Sequence, residues 1–197
     1  MSVKRFVCGV DESAKEMSPC NDLYVCIACI EAPEKGTHAG YEVVEELSRL
    51  LCFRKTPSEL KWHWLKSKVT SPKSLREWLL ERLAVHACSS SHIRFSVPEV
   101  KARLAEIVVI HALKRLREEY GSPNIVVLID IDIVKSSKLS EFRRKVGRSI
   151  GSLANIQIKL RRKSKRGKPP VIQLADLLAG TTRELCEYEE CPKLVQL

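Results

Sequence analysis

Acidic residues occupy three places in the chain where buried elements rarely carry a charge. Asp11 and Glu12 end the first predicted strand. Asp130 ends a strongly apolar strand, and Asp132 follows on the same predicted face. Asp176 stands within an apolar helical stretch. Carboxylates that meet in a fold repel one another unless protons or divalent cations neutralise them, and oxygen-only clusters suit Mg²⁺ or Mn²⁺. These residues therefore predict a divalent-metal site.

The helix around Asp176 supports this prediction. Its leucines form one face at 100° per residue, and Asp176 lies away from that face beside Ala175, Ala179 and Gly180. Small neighbours would let the helix approach a sheet closely enough for a short carboxylate to reach acids on strands. Taken singly, each acid has an ordinary alternative, because aspartates often serve in turns at strand ends or on exposed helix faces.

The positive charge of the chain is concentrated in one segment. The formal net charge is +10, whereas residues 135–168 alone hold thirteen Lys or Arg and a single acid, Glu141. Such a concentration attracts polyanions, nucleic acid first. A solvated basic loop is the alternative. A membrane surface is less favoured, because the segment lacks an obvious amphipathic anchor.

The predicted elements alternate between strands and helices, which indicates an α/β fold with a mixed sheet flanked by helices. One domain is expected over residues 1–197, with an irregular insertion at about 54–70 and a basic loop at about 161–170. The strands are predicted at 3–11, 23–30, 93–97, 124–133 and 156–161, and the helices at 41–52, 73–87, 98–119, 140–153 and 171–188.

No apolar run reaches the length of a membrane span, and the N-terminal apolar stretch is too short for a signal peptide, so a cytoplasmic location is expected. The chain has eight cysteines. Cys26 and Cys29 lie three apart on a predicted strand and face opposite ways, which excludes one shared metal. Whether the cysteines form disulfides stays open at this point.

Four stretches of the sequence together resemble a known family. They are Val7-Cys-Gly-Val-Asp-Glu-Ser13, Glu59-Leu-Lys-Trp62, Val126-Val-Leu-Ile-Asp130 and Ile172-Gln-Leu-Ala-Asp-Leu-Leu-Ala-Gly180. They are similar to motifs of the domain-of-unknown-function 3800 family of RNase H-like proteins, and the closing Gln-x-Ala-Asp-Leu-x-Ala-Gly motif is the more specific. The chain departs from the family at Ala14, where glycine is usual.

The resemblance implies an RNase H-like fold and a nuclease that cleaves RNA, DNA or their hybrid with Mg²⁺ or Mn²⁺. Asp11, Asp130 and Asp176 would be catalytic metal ligands, with Glu12 and Asp132 as the next candidates. Two metal ions would hold the attacking water and stabilise the leaving oxygen. The expected contacts to the nucleic-acid backbone are Lys61, Arg161, Arg162, Lys163, Lys165, Arg166 and Lys168. The alternative is a nucleic-acid-binding module without catalysis.

Two further expectations concern single residues. Trp62 and Trp64 alternate with polar residues, which favours a packing role for both indoles. Glu106 is a possible helix carboxylate of a nuclease site, but a solvent-exposed face is the favoured interpretation.

Overall fold

The computed structural model contains five strands, six α-helices and a short 3-10 helix at Ser136–Lys138 in the residues that it describes. Those residues are 3–15, 22–32, 38–55, 57–91, 98–162 and 167–187. The strands are β1 Arg5–Lys15, β2 Asp22–Glu31, β3 Val85–Ser91, β4 Asn124–Asp130 and β5 Ile156–Arg161. The helices are α1 Tyr41–Leu50, α2 Trp62–Leu65, α3 Pro72–Leu80, α4 Pro98–Tyr120, α5 Leu139–Ile150 and α6 Pro170–Glu187.

The strands form one mixed sheet in the order β3-β2-β1-β4-β5. β2 runs antiparallel to both β1 and β3, whereas β1, β4 and β5 are parallel. The register pairs Val10 of β1 with Ile129 of β4. Asp11 and Asp130 are the next residues along the two strands, so the sheet brings them to the same edge.

Helices cover both faces of this sheet, which confirms the α/β class and the mixed, helix-flanked sheet. α4 and α5 bury their apolar stripes on one face, and α1, α3 and α6 contribute to the core on the other. β4 lies between β1 and β5, and its last four residues are buried, as its continuous apolar run predicts. None of the described helices is long and apolar enough to cross a bilayer.

A glycine in β1 sets how closely α6 approaches the sheet. A Cβ at Gly9 would lie 2.2 Å from the backbone oxygen of Val171, so the first turn of α6 touches the strand directly. Small residues of the helix were expected to allow this close approach. Gly180 serves another contact, because a Cβ there would lie 2.1 Å from the ring of Trp62. The small residue needed for contact with β1 lies in the strand.

The predicted helix at 73–87 is wrong in its second half. α3 ends at Leu80, and Val85–Ser91 instead forms β3, which pairs along β2 from Cys29 to Leu23. Apolar spacing near the end of α3 suits either structure, and pairing with a distant strand decides between them. The strand predicted at 93–97 lies outside the described residues.

The first strand continues past its predicted end. Pairing with β4 stops at Val10, but pairing with β2 continues to Lys15, so Asp11 and Glu12 lie within β1. Its parallel neighbour ends at Asp130 and does not extend to residue 133. The predicted end of β1 is therefore too early, and the predicted end of β4 is too late.

Disulfides join β2 to both of its neighbours. Cys8 of β1 is bonded to Cys29, and Cys26 is bonded to Cys88 of β3. The two bonds lie on opposite faces of the sheet, as the spacing of Cys26 and Cys29 predicts. Disulfides are rare in reducing cytosol outside hyperthermophiles, so a cytoplasmic location stays a prediction.

Removing either disulfide should destabilise the fold, and the loss should grow slowly with the length of the loop that the bond closes. The cysteines are 21 residues apart in the first bond and 62 apart in the second. From chain entropy, Cys29→Ala should lower the free energy of unfolding by about 3 kcal/mol and Cys88→Ala by about 4 kcal/mol. Urea denaturation checks both values. The control is Cys52→Ala at an exposed free thiol, which should change little. Equal stability of all three variants, or free thiols at Cys29 and Cys88, would contradict the pairing.

Candidate functional site

Two buried carboxylates lie side by side at one edge of the sheet. Asp11 and Asp130 are 2% and 3% exposed, and both side chains face α6. One oxygen of each is fixed by a nearby backbone N–H: Glu12 N donates to Asp11 Oδ1 at 3.0 Å, and Asp132 N donates to Asp130 Oδ1 at 3.1 Å. These bonds leave the Oδ2 atom of both carboxylates directed at a common neighbour.

That neighbour is Lys168, in the segment just before α6. Its Nζ lies 2.8 Å from Asp11 Oδ2 and 2.6 Å from Asp130 Oδ2. Burial alone would lower the pKa of Lys168, but the two carboxylates outweigh it and hold that pKa above its usual value. The ammonium therefore stays charged and offsets one of the two negative charges.

The positive charge of Lys168 does not bring the pKa of Asp11 back to its usual value. Burial raises the pKa of Asp11 well above its usual value, Lys168 opposes this, and the nearby Asp176 and Glu12 raise it further. Either a proton or a cation at Asp11 would relieve both its burial and the repulsion from these acids.

Asp176 lies close enough to act on Asp11 but is bound elsewhere. Its Oδ2 accepts a hydrogen bond from the backbone N–H of Trp62 at 2.8 Å. Burial raises its pKa, while the Trp62 bond and the charges of Lys168 and Lys61 partly counter that rise. Within the described part of the chain, no three acidic, histidine or cysteine side chains are grouped as a ready-made metal site.

Gln173 is a site residue that the sequence analysis missed as an individual contact. Its Oε1 accepts from the backbone N–H of Leu60 at 2.7 Å, and its Nε2 donates to the backbone oxygen of Lys168 at 2.7 Å. One side chain of α6 therefore holds the segment before α2 against the segment that carries Lys168. The available signal was a glutamine one turn before Asp176 in an apolar helix.

Two expected metal ligands lie away from the pair. Glu12 follows Asp11 in β1, so it faces the opposite side of the sheet, where Lys101 Nζ lies 2.5 Å from its carboxylate. β4 ends at Asp130, where the carboxylate accepts a hydrogen bond from the Asp132 N–H. Asp132 therefore lies in the turn that follows, with its side chain exposed. The prediction that Asp132 shares a strand face with Asp130 is wrong.

The six expected nucleic-acid contacts between residues 161 and 168 fall into three groups. Arg161 and Arg162 are exposed, and Arg161 is the register partner of Asp130, so both are near the site edge. Lys168 instead contacts the carboxylates. The expected contacts at Lys163, Lys165 and Arg166 lie outside the described residues.

The segment leading into α2 places the remaining basic candidate. Lys61 is one third exposed, and its Nζ lies 3.6 Å from the buried carboxylate of Glu59. Trp62 is buried against α6, as expected for a packing residue, whereas Trp64 is 50% exposed. The packing prediction is therefore wrong for Trp64.

Glu106 is buried, contrary to the expected solvent-exposed position. Arg103 lies 2.5 Å and Lys145 4.0 Å from its carboxylate oxygens. These residues line a cavity of about 370 Å³ between α4 and α5, on the face of the sheet opposite Asp11. Glu106 does not join the carboxylate pair.

No protein-family model matches the chain, and no curated protein matches it at a significant level. The geometry of the site therefore carries the functional argument.

The hydrogen bond between Asp176 and Trp62 leads to a stability prediction. Asp176→Asn keeps an oxygen acceptor and removes a buried charge, so the free energy of unfolding should stay equal or rise. Asp176→Ala leaves the Trp62 N–H without its acceptor and should lower it by about 1–3 kcal/mol. Urea denaturation compares the two variants with Asp132→Asn, an exposed control expected to change stability by less than about 0.5 kcal/mol. An Asn variant as unstable as the Ala variant would contradict this account.

Proposed function

We propose that the chain is a divalent-metal-dependent nuclease with an RNase H-like fold. The observation that carries the proposal is the pair of buried carboxylates from adjacent parallel strands, whose free oxygens converge on one positive charge. The mixed sheet with helices on both faces supports the fold assignment. RNA, DNA or their hybrid is the substrate class.

The residues fit Mg²⁺ or Mn²⁺. Both ions prefer oxygen ligands, and Asp11 and Asp130 supply two carboxylates already oriented by backbone hydrogen bonds. The Lys168 ammonium lies where a cation between them would be held. Asp11 and Asp130 would bind the metal, and Asp176 is the third candidate.

A bound divalent ion would activate water and stabilise charge at a phosphodiester. The protein's own contribution is positioning: β1 and β4 fix the two acids, and Gln173 holds the strand-end segments together. Lys168, once displaced from the carboxylates, would offset the negative charge of a phosphate beside the site. Arg161 and Arg162 would contact the backbone without reading sequence.

A nucleic-acid-binding module without catalysis is the second candidate. The specific observation in its favour is that the Lys168 ammonium contacts both Asp11 and Asp130 and so gives them a counter-charge from the chain itself. In this alternative Asp11, Asp130 and Lys168 only stabilise the fold. The exposed Arg161 and Arg162 would still contact the nucleic-acid backbone.

Cleavage assays separate the two candidates. Labelled single-stranded, duplex and hybrid oligonucleotides incubated with Mn²⁺ should be cut by the wild type and not after addition of EDTA. Asp11→Asn and Asp130→Asn should each lower the cleavage rate by about a hundredfold or more, because each removes a charged metal ligand. The matched control, Asp132→Asn, should cleave at nearly the wild-type rate. Nucleic-acid binding without cleavage of any substrate would favour the module instead.

A second measurement tests the competition between Lys168 and the metal. Lys168→Met leaves two buried carboxylates without their counter-charge, so the metal-free protein should be less stable. The same change should tighten Mn²⁺ binding by about tenfold or more, which is about 1.4 kcal/mol. Calorimetric titration with Mn²⁺ and thermal unfolding with and without the ion give both values. Lys159→Met, at an exposed lysine of β5, is the control. Unchanged or weaker Mn²⁺ binding by Lys168→Met would contradict the proposal that the Lys168 ammonium and the metal ion occupy the same position.

A further inference from the structure

The single helical turn α2 presents an indole to solvent beside the carboxylate site. Trp62 and Leu65, three residues apart, face the core, so the turn directs Trp64 outward. Trp64 is 50% exposed, whereas Trp62 is 2% exposed. Single exposed apolar residues are common on proteins, and the surroundings of Trp64 decide whether its exposure has a use.

The turn that carries Trp64 is fixed to the site. The N–H of Trp62 donates to Asp176, and the N–H of Leu60 donates to Gln173. The N–H of Trp64 donates to the backbone oxygen of Lys61 at 3.1 Å. These bonds hold the backbone beneath the exposed indole, so its ring is presented with little loss of backbone entropy on binding.

The segment that carries this turn is rich in cations, and two acids also contact it: Glu59 lies 3.6 Å from Lys61, and Glu184 accepts from the Trp62 indole N–H at 3.4 Å. Residues 60–76 contain five Lys or Arg and no acid. His63 and Lys66 are exposed, and the His63 ring lies 5.3 Å from the Trp64 ring. Burial raises the pKa of Asp176, and the charges of Lys61 and His63 counter part of that rise, so this surface and the site lie within electrostatic reach.

We propose that Trp64 is a stacking platform for an unpaired nucleobase, which makes single-stranded nucleic acid the preferred ligand. The inference rests on the proposed function for its substrate class. An aromatic face among cations is the usual means of binding single strands, because every base has a face to stack and every linkage carries a charge. In an intact duplex the base faces are covered by their neighbours, so the indole gains no such contact there.

Binding without metal tests this inference separately from catalysis. Fluorescence anisotropy in EDTA compares the affinity of the full chain for a labelled single strand and for a blunt duplex of equal length. Trp64→Ala should weaken single-strand binding by about 5- to 150-fold and leave duplex binding within about twofold. Trp64→Phe should retain most of the affinity. The control is Tyr41→Ala, a 45% exposed aromatic at the start of the acidic helix α1, which should bind as wild type.

Fluorescence of the protein adds a direct readout of stacking. A single strand should quench the emission of the wild type, and Trp64→Phe should lose that quenching while Trp62 and Trp78 remain. Thermal unfolding should be unchanged in both Trp64 variants, because the side chain is not packed in the core.

The outcomes distinguish this inference from the nuclease proposal. Loss of single-strand binding in Trp64→Ala supports stacking even when no substrate is cleaved. Cleavage by the wild type together with unchanged single-strand binding in Trp64→Ala overturns the stacking role and leaves the nuclease intact. Failure of the wild type to bind any single strand, or capture of a protein partner through Trp64 instead, also overturns it.

Discussion

The burial of two carboxylates next to each other is the constraint on which the site depends. Asp11 and Asp130 both contact one ammonium, so their oxygens are about 5 Å apart at most, and two unit charges at that distance repel by about 3 kcal/mol at an effective dielectric constant of about 20. Neither acid can be moved to solvent, because each lies on a strand beneath α6. A proton or a cation must therefore neutralise part of this charge, and Lys168 is the cation that the chain supplies.

The surrounding elements bring that cation to the acids. The parallel register of β1 and β4 puts the acids on one edge, and Gly9 lets α6 lie directly on β1. Because α6 begins two residues after Lys168, its close contact with the strand also places the lysine. Gln173 then fixes the backbone of Lys168 to the segment that leads into α2. The sheet register, the close approach of α6 and the loop before it together position Lys168 between the two acids.

The fold was predictable where the pattern was local and strong. The amphipathic periods of α4 and α6 predict both ends of those helices to within one residue, and the apolar run of β4 predicts where that strand begins. β3 was not predictable in this way, because its residues continue a helical period and become a strand only through pairing with β2. The end of β4 was also missed, since a hydrogen bond from the Asp132 backbone to the Asp130 side chain terminates the strand while its apolar pattern continues.

The candidate site shows the same division between local and long-range causes. Asp11, Asp130 and Asp176 stood out because a charge in an apolar element needs a reason, and that signal needs no tertiary information. Glu12 was expected as a further metal ligand, but it follows Asp11 directly within β1 and therefore faces the opposite side of the sheet. Lys168 gave no comparable signal, because it lies in a basic segment, and the composition of that segment predicts a solvated surface. An exposed contact of a lysine contributes at most about 1 kcal/mol, whereas a lysine bound between two buried acids relieves a much larger penalty. The role of Lys168 is therefore decided by its position in the fold, which the composition of the surrounding segment does not reveal.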